Sequence, residues 1–253
     1  MLSQITMMQK LERGINKYKV AVIIPCYNEQ EAIESVINEI KSKKFDAFDL
    51  TIIAVNDCSK DNTLHILQSL NVTILNLPIN LGIGGAVQTG YKYALKNKFD
   101  VAIQLDGDGQ HPVDQIEKIV KPILEQVCDV AIGSRFIHYK GFQSSFLRRI
   151  GIVYIQYLNR FLIGLNITDS TSGFRAINAE ALKLVCKYYP DEYPEPEAII
   201  LFSLNKLTIL EVPVIMKERQ GGVSSIRSFK TIYYMAKVTL ANICLYLRLK
   251  NKL

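Results

Sequence analysis

The residues best suited to chemistry are two aspartates in the run Asp106-Gly107-Asp108-Gly109-Gln110-His111. Asp106 and Asp108 stand two positions apart with a glycine between them, so both carboxylates can turn toward one hard cation. Such carboxylates typically hold Mg²⁺ or Mn²⁺ together with substrate phosphates. A calcium-binding loop is one alternative, and Glu117 stands at its twelfth position, but His111 occupies the sixth, where that loop requires glycine. A solvated turn rich in Asp and Gly is the other.

Two more turns carry groups that could contact a ligand. Asp57 could accept hydrogen bonds from a base or a ribose, whereas Ser59 and Asp61 are better suited to cap the helix that follows. The glycines of Asn80–Ala86 either let the backbone approach a ligand closely or simply form a tight turn. As a dinucleotide fingerprint this turn is a weak signal, because Val87 replaces the third glycine of that pattern and the turn follows the third strand instead of the first.

Short apolar runs alternate with helical patterns along the first 140 residues. The runs predict five strands, at Lys19–Pro25, Leu50–Val55, Val72–Leu75, Val101–Leu105 and Asp129–Ile132. Helices between such strands imply right-handed βαβ units and an α/β fold with a parallel sheet. Ligands bind at the carboxyl ends of such strands, so the acidic turns should share one edge that suits a nucleotide, a divalent metal and a phosphate. After about residue 140 the alternation becomes irregular, and we predict one compact domain with a C-terminal appendage.

Composition excludes several classes of protein. Hydrophobic residues make up 49% of the 253 residues and charged residues 21%, which excludes a disordered chain. The five cysteines are odd in number and widely spaced, which argues against a disulfide framework or a zinc site and for a reducing cytosol. The N-terminal residues lack the features of a signal peptide, and no stretch reaches the ~20 uninterrupted apolar residues of a spanning helix.

Positive charge is concentrated at the C-terminal end of the sequence. Eight basic residues stand between Lys217 and Leu253 against Glu218 alone, whereas residues 1–216 carry a net charge of −1. Residues 229–249 are apolar and rich in tyrosine with basic flanks, a pattern typical of a helix that lies on an anionic membrane. The alternative is a helix packed on its own domain or against a small membrane protein. Nucleic-acid binding is not expected, because the basic residues are interleaved with aliphatic ones.

Six motifs make the chain resemble a known family. In chain order they are PCYNE (Pro25–Glu29), NDCSKDNT (Asn56–Thr63), NLGIGGA (Asn80–Ala86), DGDGQHP (Asp106–Pro112), GSRF (Gly133–Phe136) and DSTSGFR (Asp169–Arg175). Over about residues 19–226 the chain resembles the family 2 glycosyltransferases, and within them the dolichyl/polyprenyl-phosphate sugar synthases. The resemblance implies a GT-A fold for residues 1–227, a nucleotide-sugar donor, Mn²⁺ or Mg²⁺, and inversion at the anomeric carbon. Residues 228–253 would then form the membrane-interfacial or partner-binding helix.

The resemblance also implies roles for individual residues. The donor would be bound by Pro25, Tyr27, Glu29, Asp57, Gly84, Asp106, Arg219 and Ser224. The metal would be held by Asp106, Asp108 and Gln110. Arg135 would face a diphosphate or an acceptor phosphate, and the acceptor side would carry Ser172 and Arg175.

The chain departs from the family's pattern at two points. Asn56-Asp57-Cys58 stands where many relatives have Asp-Asp-Gly, although the second carboxylate is kept. The pair of C-terminal transmembrane helices that some lipid-phosphate relatives carry is not found in this sequence, which leaves the acceptor open.

The implied reaction displaces a nucleoside diphosphate from C1 of a sugar. A phosphate acceptor is already anionic and needs no general base, whereas a sugar hydroxyl needs one. Asp169 and Glu197 are the candidate bases. The alternative for Asp169 is a cap on a turn, and for Glu197 a carboxylate at the start of a helix after Pro196.

We therefore expect an inverting glycosyltransferase that moves a hexose from a nucleotide sugar. UDP is the nucleotide that the family resemblance favours. The expected acceptor is a polyprenyl phosphate or a lipid-linked saccharide in cell-envelope glycan synthesis. The enzyme would be cytoplasmic and peripheral on the inner face of the cell membrane. The alternatives are transfer to a soluble glycan or cell-wall polymer, and a nucleotide-sugar-binding module without transfer activity.

Overall fold

One sheet of seven strands organises the computed structural model, which describes residues 17–138, 146–190, 194–217 and 228–250. In chain order the strands are β1 (Tyr18–Cys26), β2 (Phe48–Asn56), β3 (Thr73–Asn76), β4 (Val101–Gln104), β5 (Val130–Ser134), β6 (Arg175–Asn178) and β7 (Ile209–Pro213). Their order across the sheet is β3-β2-β1-β4-β6-β5-β7. All pairs are parallel except those of β6, which runs antiparallel to both β4 and β5.

Eight α-helices accompany the sheet in the described residues. They are α1 (Ile33–Ser42), α2 (Thr63–Ser69), α3 (Gly82–Lys96), α4 (Ile116–Leu124), α5 (Phe146–Ile163), α6 (Ala179–Lys187), α7 (Pro194–Leu204) and α8 (Ser228–Lys250). A single 3₁₀ turn at Val113–Gln115 leads into α4.

The sheet is buried on both faces, and β1 shows why its sequence is continuously apolar. Val20 and Val22 pack into the layer that contains α1 and α4, while Ala21 and Ile23 pack into the layer that contains α3, α6 and α7. Successive side chains of a strand point to opposite faces, so both sets must be apolar. A Cβ added at Gly90 of α3 would collide with the Ile23 side chain, which places this helix unusually close to the sheet.

The five predicted strands are confirmed to within two residues at each end. Strands β6 and β7 were not predicted, and the sheet is mostly rather than wholly parallel. The physical reason is that β6 has only four residues and contains the buried Arg175, so it presents no apolar run. Strand β7 includes Glu211 and ends at Pro213, which obscures its pattern in the same way.

The C-terminal helix α8 packs against α5 and α7. Val238 and Leu245 on it are buried, and Leu245 belongs to a small apolar cluster with Ile200 and Leu201 of α7. Within the described ranges, no helix has the length and apolar character needed to cross a membrane. The division of the chain after residue 227 stays a prediction.

Candidate active site at the carboxyl edge of the sheet

The carboxyl ends of β1, β2 and β4 lie side by side, because β1 pairs in parallel with both neighbours. Directly after β2, the backbone N–H of Asp57 donates to Cys26 O at 2.9 Å. Directly after β4, the backbone N–H of Leu105 donates to Ile23 O at 3.0 Å. The polar turns that follow these strands therefore share one edge of the sheet, as the sequence predicts.

The turn after β4 presents one open and one sheltered carboxylate. The Asp106 side chain keeps 33% of its surface exposed. Asp108 is 1% exposed, and its Oδ1 accepts the backbone N–H of Gln110 at 2.9 Å. Gly109 has φ of 76°, a left-handed conformation that glycine adopts without strain. The glycine thus folds the turn back so that both carboxylates belong to one small loop.

His111 fixes the backbone of this loop. Its Nδ1 accepts the backbone N–H of Asp106 at 3.0 Å, so in the neutral ring the proton is assigned to Nε2. Nε2 lies 3.7 Å from Oδ2 of Asp106, and the ring stacks on Phe174 with centroids 5.1 Å apart. Sequence reasoning treated His111 only as evidence against a calcium loop. Its place in the same turn, three residues after Asp108, was the signal that could have identified it.

Asp106 and Asp108 fit a hard divalent cation whose remaining ligands come from a substrate. Both offer carboxylate oxygens, the donor class that Mg²⁺ and Mn²⁺ take. In the part of the chain that the structure describes, no group of three or more His, Cys, Asp or Glu side chains is arranged to hold a metal. The backbone N–H of Gln110 donates to Asp108, and Gln110 itself is partly exposed. This donor set suits Mg²⁺, which usually keeps waters and substrate phosphates as ligands.

Gly173, in the neighbouring segment, leaves the space that the Asp106 carboxylate occupies. A Cβ at this position would lie 3.1 Å from Asp106 Oδ1 and 2.9 Å from Gln104 Nε2. Both separations are shorter than ordinary van der Waals contact, so any larger residue would displace one of the two side chains. Residue 173 is the glycine of the DSTSGFR motif, and its role was not predicted.

Arg135 and Asp169 form a buried, two-pronged ion pair beside this turn. Nε of Arg135 donates to Oδ2 of Asp169 at 2.7 Å, and Nη2 donates to Oδ1 at 2.7 Å. Arg135 is 6% exposed and Asp169 is fully buried. Burial disfavours the charged guanidinium, but its hydrogen bond to Asp169 and the charges of Asp169 and Asp106 outweigh burial and raise the pKa of Arg135. The guanidinium therefore stays positively charged.

Glu211 of β7 binds the backbone N–H groups of Thr168 and Asp169 and so fixes the position of Asp169. Oε1 of Glu211 accepts the backbone N–H of Asp169 at 2.9 Å, and Oε2 accepts that of Thr168 at 2.8 Å. The Thr168 hydroxyl donates to the same carboxylate at 2.9 Å. A glutamate in an unpredicted strand gave no sequence signal for this role.

At the start of α7 the structure brings Glu195 to the site. Oε1 of Glu195 accepts a hydrogen bond from Gln104 Nε2 at 3.3 Å. Burial and the negative charge of Asp106 raise the pKa of Glu195, although the positive charge of Arg175 acts to lower it. Glu197, the residue expected to act here, lies two positions further along the first turn of α7 and is partly buried. Both glutamates are visible in the sequence, but which of them faces the site depends on their positions around the helix axis.

Arg175 and Ser172, expected on the acceptor side, are buried. Arg175 is fully buried, with Nε and Nη2 donating to Ser172 O at 3.2 and 2.7 Å and Nη1 donating to Glu195 O at 3.2 Å. Its guanidinium therefore ties the DSTSGFR segment to the start of α7 and is turned away from solvent. Ser172 is 2% exposed, and its Oγ has no hydrogen-bond partner among the described residues.

Asp57 connects the end of β2 to the glycine-rich turn. It is 3% exposed, and its Oδ1 accepts the backbone N–H of Leu81 at 2.7 Å. Burial raises the pKa of Asp57, while the backbone N–H groups of Leu81 and Gly82 oppose that rise. The Asp57 carboxylate thus holds the N-terminus of α3, and Gly84 is buried in the first turn of that helix.

Tyr27 and Glu29 lie on the turn after β1. The Tyr27 side chain is 44% exposed, whereas Pro25 is buried at the end of β1. The backbone N–H of Glu29 donates to the Thr63 hydroxyl at 2.8 Å, which joins this turn to α2. The two remaining predicted donor residues, Arg219 and Ser224, lie outside the described residues.

Comparison with known proteins agrees with this geometry. The family described as glycosyl transferase family 2 matches residues 21–185. The chain is 34% identical to a UDP-N-acetylglucosamine–dolichyl-phosphate N-acetylglucosaminyltransferase of Methanococcus voltae, over 77% of this chain and 84% of the relative. It is 26% identical to the polyprenol monophosphomannose synthase of Mycolicibacterium smegmatis, over 87% of this chain and 85% of that protein.

Among solved structures, the chain is similar to glucosyl-3-phosphoglycerate synthase from Mycobacterium tuberculosis, crystallised with Mn²⁺, UDP and its product. The TM-score is 0.68 at 20% identity, and the match covers 94% of this chain and 83% of that chain. This likeness shows a shared fold. Since the family match covers well over half of the sequence and includes the Asp106 turn, the chain belongs to glycosyl transferase family 2 and is a glycosyltransferase of GT-A fold.

Proposed function

We propose that the protein moves a hexosyl group from a nucleotide sugar, with UDP as the favoured nucleotide, to the phosphate of a polyprenyl or dolichyl lipid. Displacement by the acceptor phosphate would invert the anomeric carbon. The observation that carries this proposal is the Arg135–Asp169 pair beside Asp106. A planar guanidinium, kept charged and fixed in orientation, is well suited to phosphate oxygens.

The same pair argues against Asp169 as the base that a hydroxyl acceptor would need. A hydroxyl must lose its proton to a base, but both oxygens of Asp169 lie 2.7 Å from donor atoms of Arg135. Protonating that carboxylate would break a buried ion pair, whereas a phosphate acceptor needs no proton transfer. We therefore assign Asp169 the task of positioning Arg135. The names of the Methanococcus and Mycolicibacterium relatives, one a dolichyl-phosphate transferase and the other a polyprenol phosphate synthase, favour the same acceptor class.

On the donor side, the exposed ring of Tyr27 offers a stacking face for a base, and Glu29 lies on the same turn. Asp57 positions the backbone of the glycine-rich turn near Gly84. Arg219 and Ser224 are proposed as further contacts to the donor phosphates.

Asp106 and Asp108, with Gln110, would hold Mn²⁺ or Mg²⁺. Bound there, the cation would neutralise charge that develops on the leaving diphosphate. Asp106, the more exposed carboxylate, faces the substrate, while Asp108 anchors the turn through the Gln110 N–H. Because this charge is greater in the transition state than in the ground state, the arrangement favours the chemical step as well as binding.

We place the enzyme on the inner face of the cell membrane as a peripheral protein, where a nucleotide sugar and a lipid phosphate meet. Residues 228–253 are the proposed interfacial segment.

The proposal is tested by incubating the protein with Mn²⁺, labelled UDP-hexoses or UDP-N-acetylhexosamine, and undecaprenyl phosphate. Label should move into the organic phase, and Asp108→Asn should abolish that transfer. Label that appears only in a water-soluble saccharide when cell-wall glycans are supplied would overturn the lipid assignment.

A further inference from the structure

Helix α5 carries an apolar stripe that faces away from the protein. Its members are Ile150, Val153, Tyr154, Tyr157 and Phe161, spaced as one face of a helix. Phe161 is 85% exposed and Tyr157 is 65% exposed, whereas Ile152 and Ile155 on the opposite face are buried. The helix is therefore apolar on the outside as well as on the inside.

A second stripe on α8 continues this surface. Leu240, Ile243 and Leu247 are exposed at successive turns of that helix, which packs against α5. The Tyr154 hydroxyl lies 2.9 Å from Oγ1 of Thr239, so the two exposed faces adjoin. Of the 15 exposed large apolar side chains among the described residues, eight lie on these two helices. Such clustering, unlike single scattered residues, marks an interaction surface.

The charge of the two helices indicates what this surface contacts. Neither helix contains an aspartate or a glutamate in its sequence. The basic residues whose side chains the structure describes are Arg149 and Arg160 of α5 and Lys237, Arg248 and Lys250 of α8. A second copy of the chain docked face to face would bring like charges together, since a two-fold interface pairs a surface with itself. Anionic lipid headgroups would complement the same charges.

Helix α5 is also tied to the segment that holds Arg135 in place. In the buried layer, Nδ2 of Asn159 donates to Oγ of Ser170 at 2.9 Å. Nearer the surface, Nε2 of Gln156 donates to Oδ1 of Asn166 at 3.0 Å. Ser170 is the neighbour of Asp169, so the helix that bears the apolar stripe and the residue that orients Arg135 are joined by one hydrogen bond and one peptide unit.

We propose that the exposed faces of α5 and α8 together form a docking surface for an anionic lipid bilayer, with Tyr157 and Phe161 of α5 inserted at the level of the headgroups. The sequence pointed to α8 alone, whereas the geometry makes α5 an equal partner. The proposal of bilayer binding is supported by the exposed apolar stripes of α5 and α8 and by the positive charge of these helices. The further consequence, that docking presents a lipid phosphate to Arg135, rests on the proposed function.

The test is co-sedimentation of the full chain with vesicles of phosphatidylglycerol and phosphatidylcholine, and with vesicles of phosphatidylcholine alone. We expect strong binding to the anionic vesicles, weakened by salt. Tyr157→Ser/Phe161→Ser and Leu240→Ser/Leu247→Ser should each weaken that binding by about tenfold or more, because each pair removes two inserted side chains. Val127→Ser, at a site that is 59% exposed but outside both helices, should leave binding unchanged. Thermal unfolding verifies that each variant is folded.

Unchanged vesicle binding in the folded Tyr157→Ser/Phe161→Ser variant would overturn the proposal. So would equal binding to neutral and anionic vesicles, or a dimer in light scattering that this pair of substitutions dissociates.

A transfer assay with a short-chain, water-soluble polyprenyl phosphate separates this proposal from the proposed function. The docking variants should keep transfer to that acceptor and lose transfer to undecaprenyl phosphate in vesicles. A wild-type protein that binds vesicles but transfers to neither acceptor would refute the proposed function and leave the docking surface standing.

Discussion

Arg135 forms two hydrogen bonds of 2.7 Å with Asp169, one from Nε to Oδ2 and one from Nη2 to Oδ1. Both side chains are almost completely buried. The pair orients a charged guanidinium next to the Asp106 turn and at the same time occupies the carboxylate that the sequence offered as a base. Our proposal of a phosphate rather than a hydroxyl acceptor rests on this arrangement.

Asp169→Asn should therefore lower stability as well as activity. Removing one partner of a buried ion pair typically costs about 3–5 kcal/mol in the free energy of unfolding, which urea denaturation would measure. We expect transfer activity to fall by roughly a hundredfold or more, since about 3 kcal/mol of transition-state stabilisation corresponds to that factor. Asp129→Asn, which alters a carboxylate outside the site, serves as the control for activity. An Asp169→Asn protein with wild-type stability and no turnover would instead indicate a catalytic base.

Gly173→Ala should displace the Asp106 carboxylate although no charged residue is replaced. Its Cβ would lie 3.1 Å from Asp106 Oδ1, so the carboxylate or the Gln104 amide must move. We expect Mn²⁺-dependent binding of UDP, measured by calorimetry, to weaken by about tenfold, because a metal site tolerates only small displacements of its ligands.

Gly151→Ala is the matched control for that substitution. A Cβ at residue 151 would meet only Met235 Sδ at 3.6 Å, an ordinary contact, and alanine favours a helix. Its UDP binding should equal that of the wild type. Equal binding by the Gly173→Ala protein as well would show that Asp106 does not depend on this glycine.

Ionisation of Glu195 should lower the free energy of unfolding as the pH rises. Its pKa is raised above the ordinary value of 4.5, chiefly by burial, so the folded protein holds this proton more tightly than the unfolded chain. Stability from this group is present below the ordinary pKa and is lost as the pH rises toward the folded pKa. Glu195→Gln should remove that loss, so its stability relative to wild type should increase from pH 4 to pH 7 in urea titrations. A stability difference between Glu195→Gln and wild type that stays flat from pH 4 to pH 7 would contradict this assignment.

Helix α8 should contribute to the stability of the fold as well as to an external surface. Leu245 is 3% exposed and packs with Ile200 and Leu201, so Leu245→Ala should lower the free energy of unfolding by about 2–4 kcal/mol. Leu247, two positions on, is 52% exposed, and Leu247→Ala should change stability by less than about 0.5 kcal/mol. Equal effects of the two substitutions in urea denaturation would mean that α8 does not pack on α7 as described.

Much of this molecule could be predicted from its sequence, and the failures have specific causes. Strands β1, β2, β4 and β5 are apolar because both faces of the sheet are covered there, which makes them easy to recognise. Strand β6 could not be recognised, because its stability comes from pairing with β4 and β5 and from the hydrogen bonds of Arg175 to two carbonyl groups. Neither contribution leaves a local pattern.

The site shows the same division. The Asp106 and Asp108 turn was predicted from spacing, since both carboxylates lie within one short loop. Glu195, Glu211 and Gly173 were missed, because each acts across a distance in sequence: Glu211 holds the backbone of Asp169 from a different strand. The ion pair of Arg135 with Asp169 likewise joins residues 34 positions apart, and no periodicity connects them.

The central claim is that Arg135, held by Asp169, serves a phosphate acceptor. The measurement that tests it most directly is ³¹P NMR of the lipid product formed from undecaprenyl phosphate, a nucleotide sugar and Mn²⁺. Our account predicts that the phosphomonoester signal of the lipid is replaced by that of a phosphodiester to C1 of an inverted sugar, and that Arg135→Lys suppresses this change. An unchanged phosphomonoester signal alongside a newly formed glycosidic bond to a hydroxyl group would contradict it.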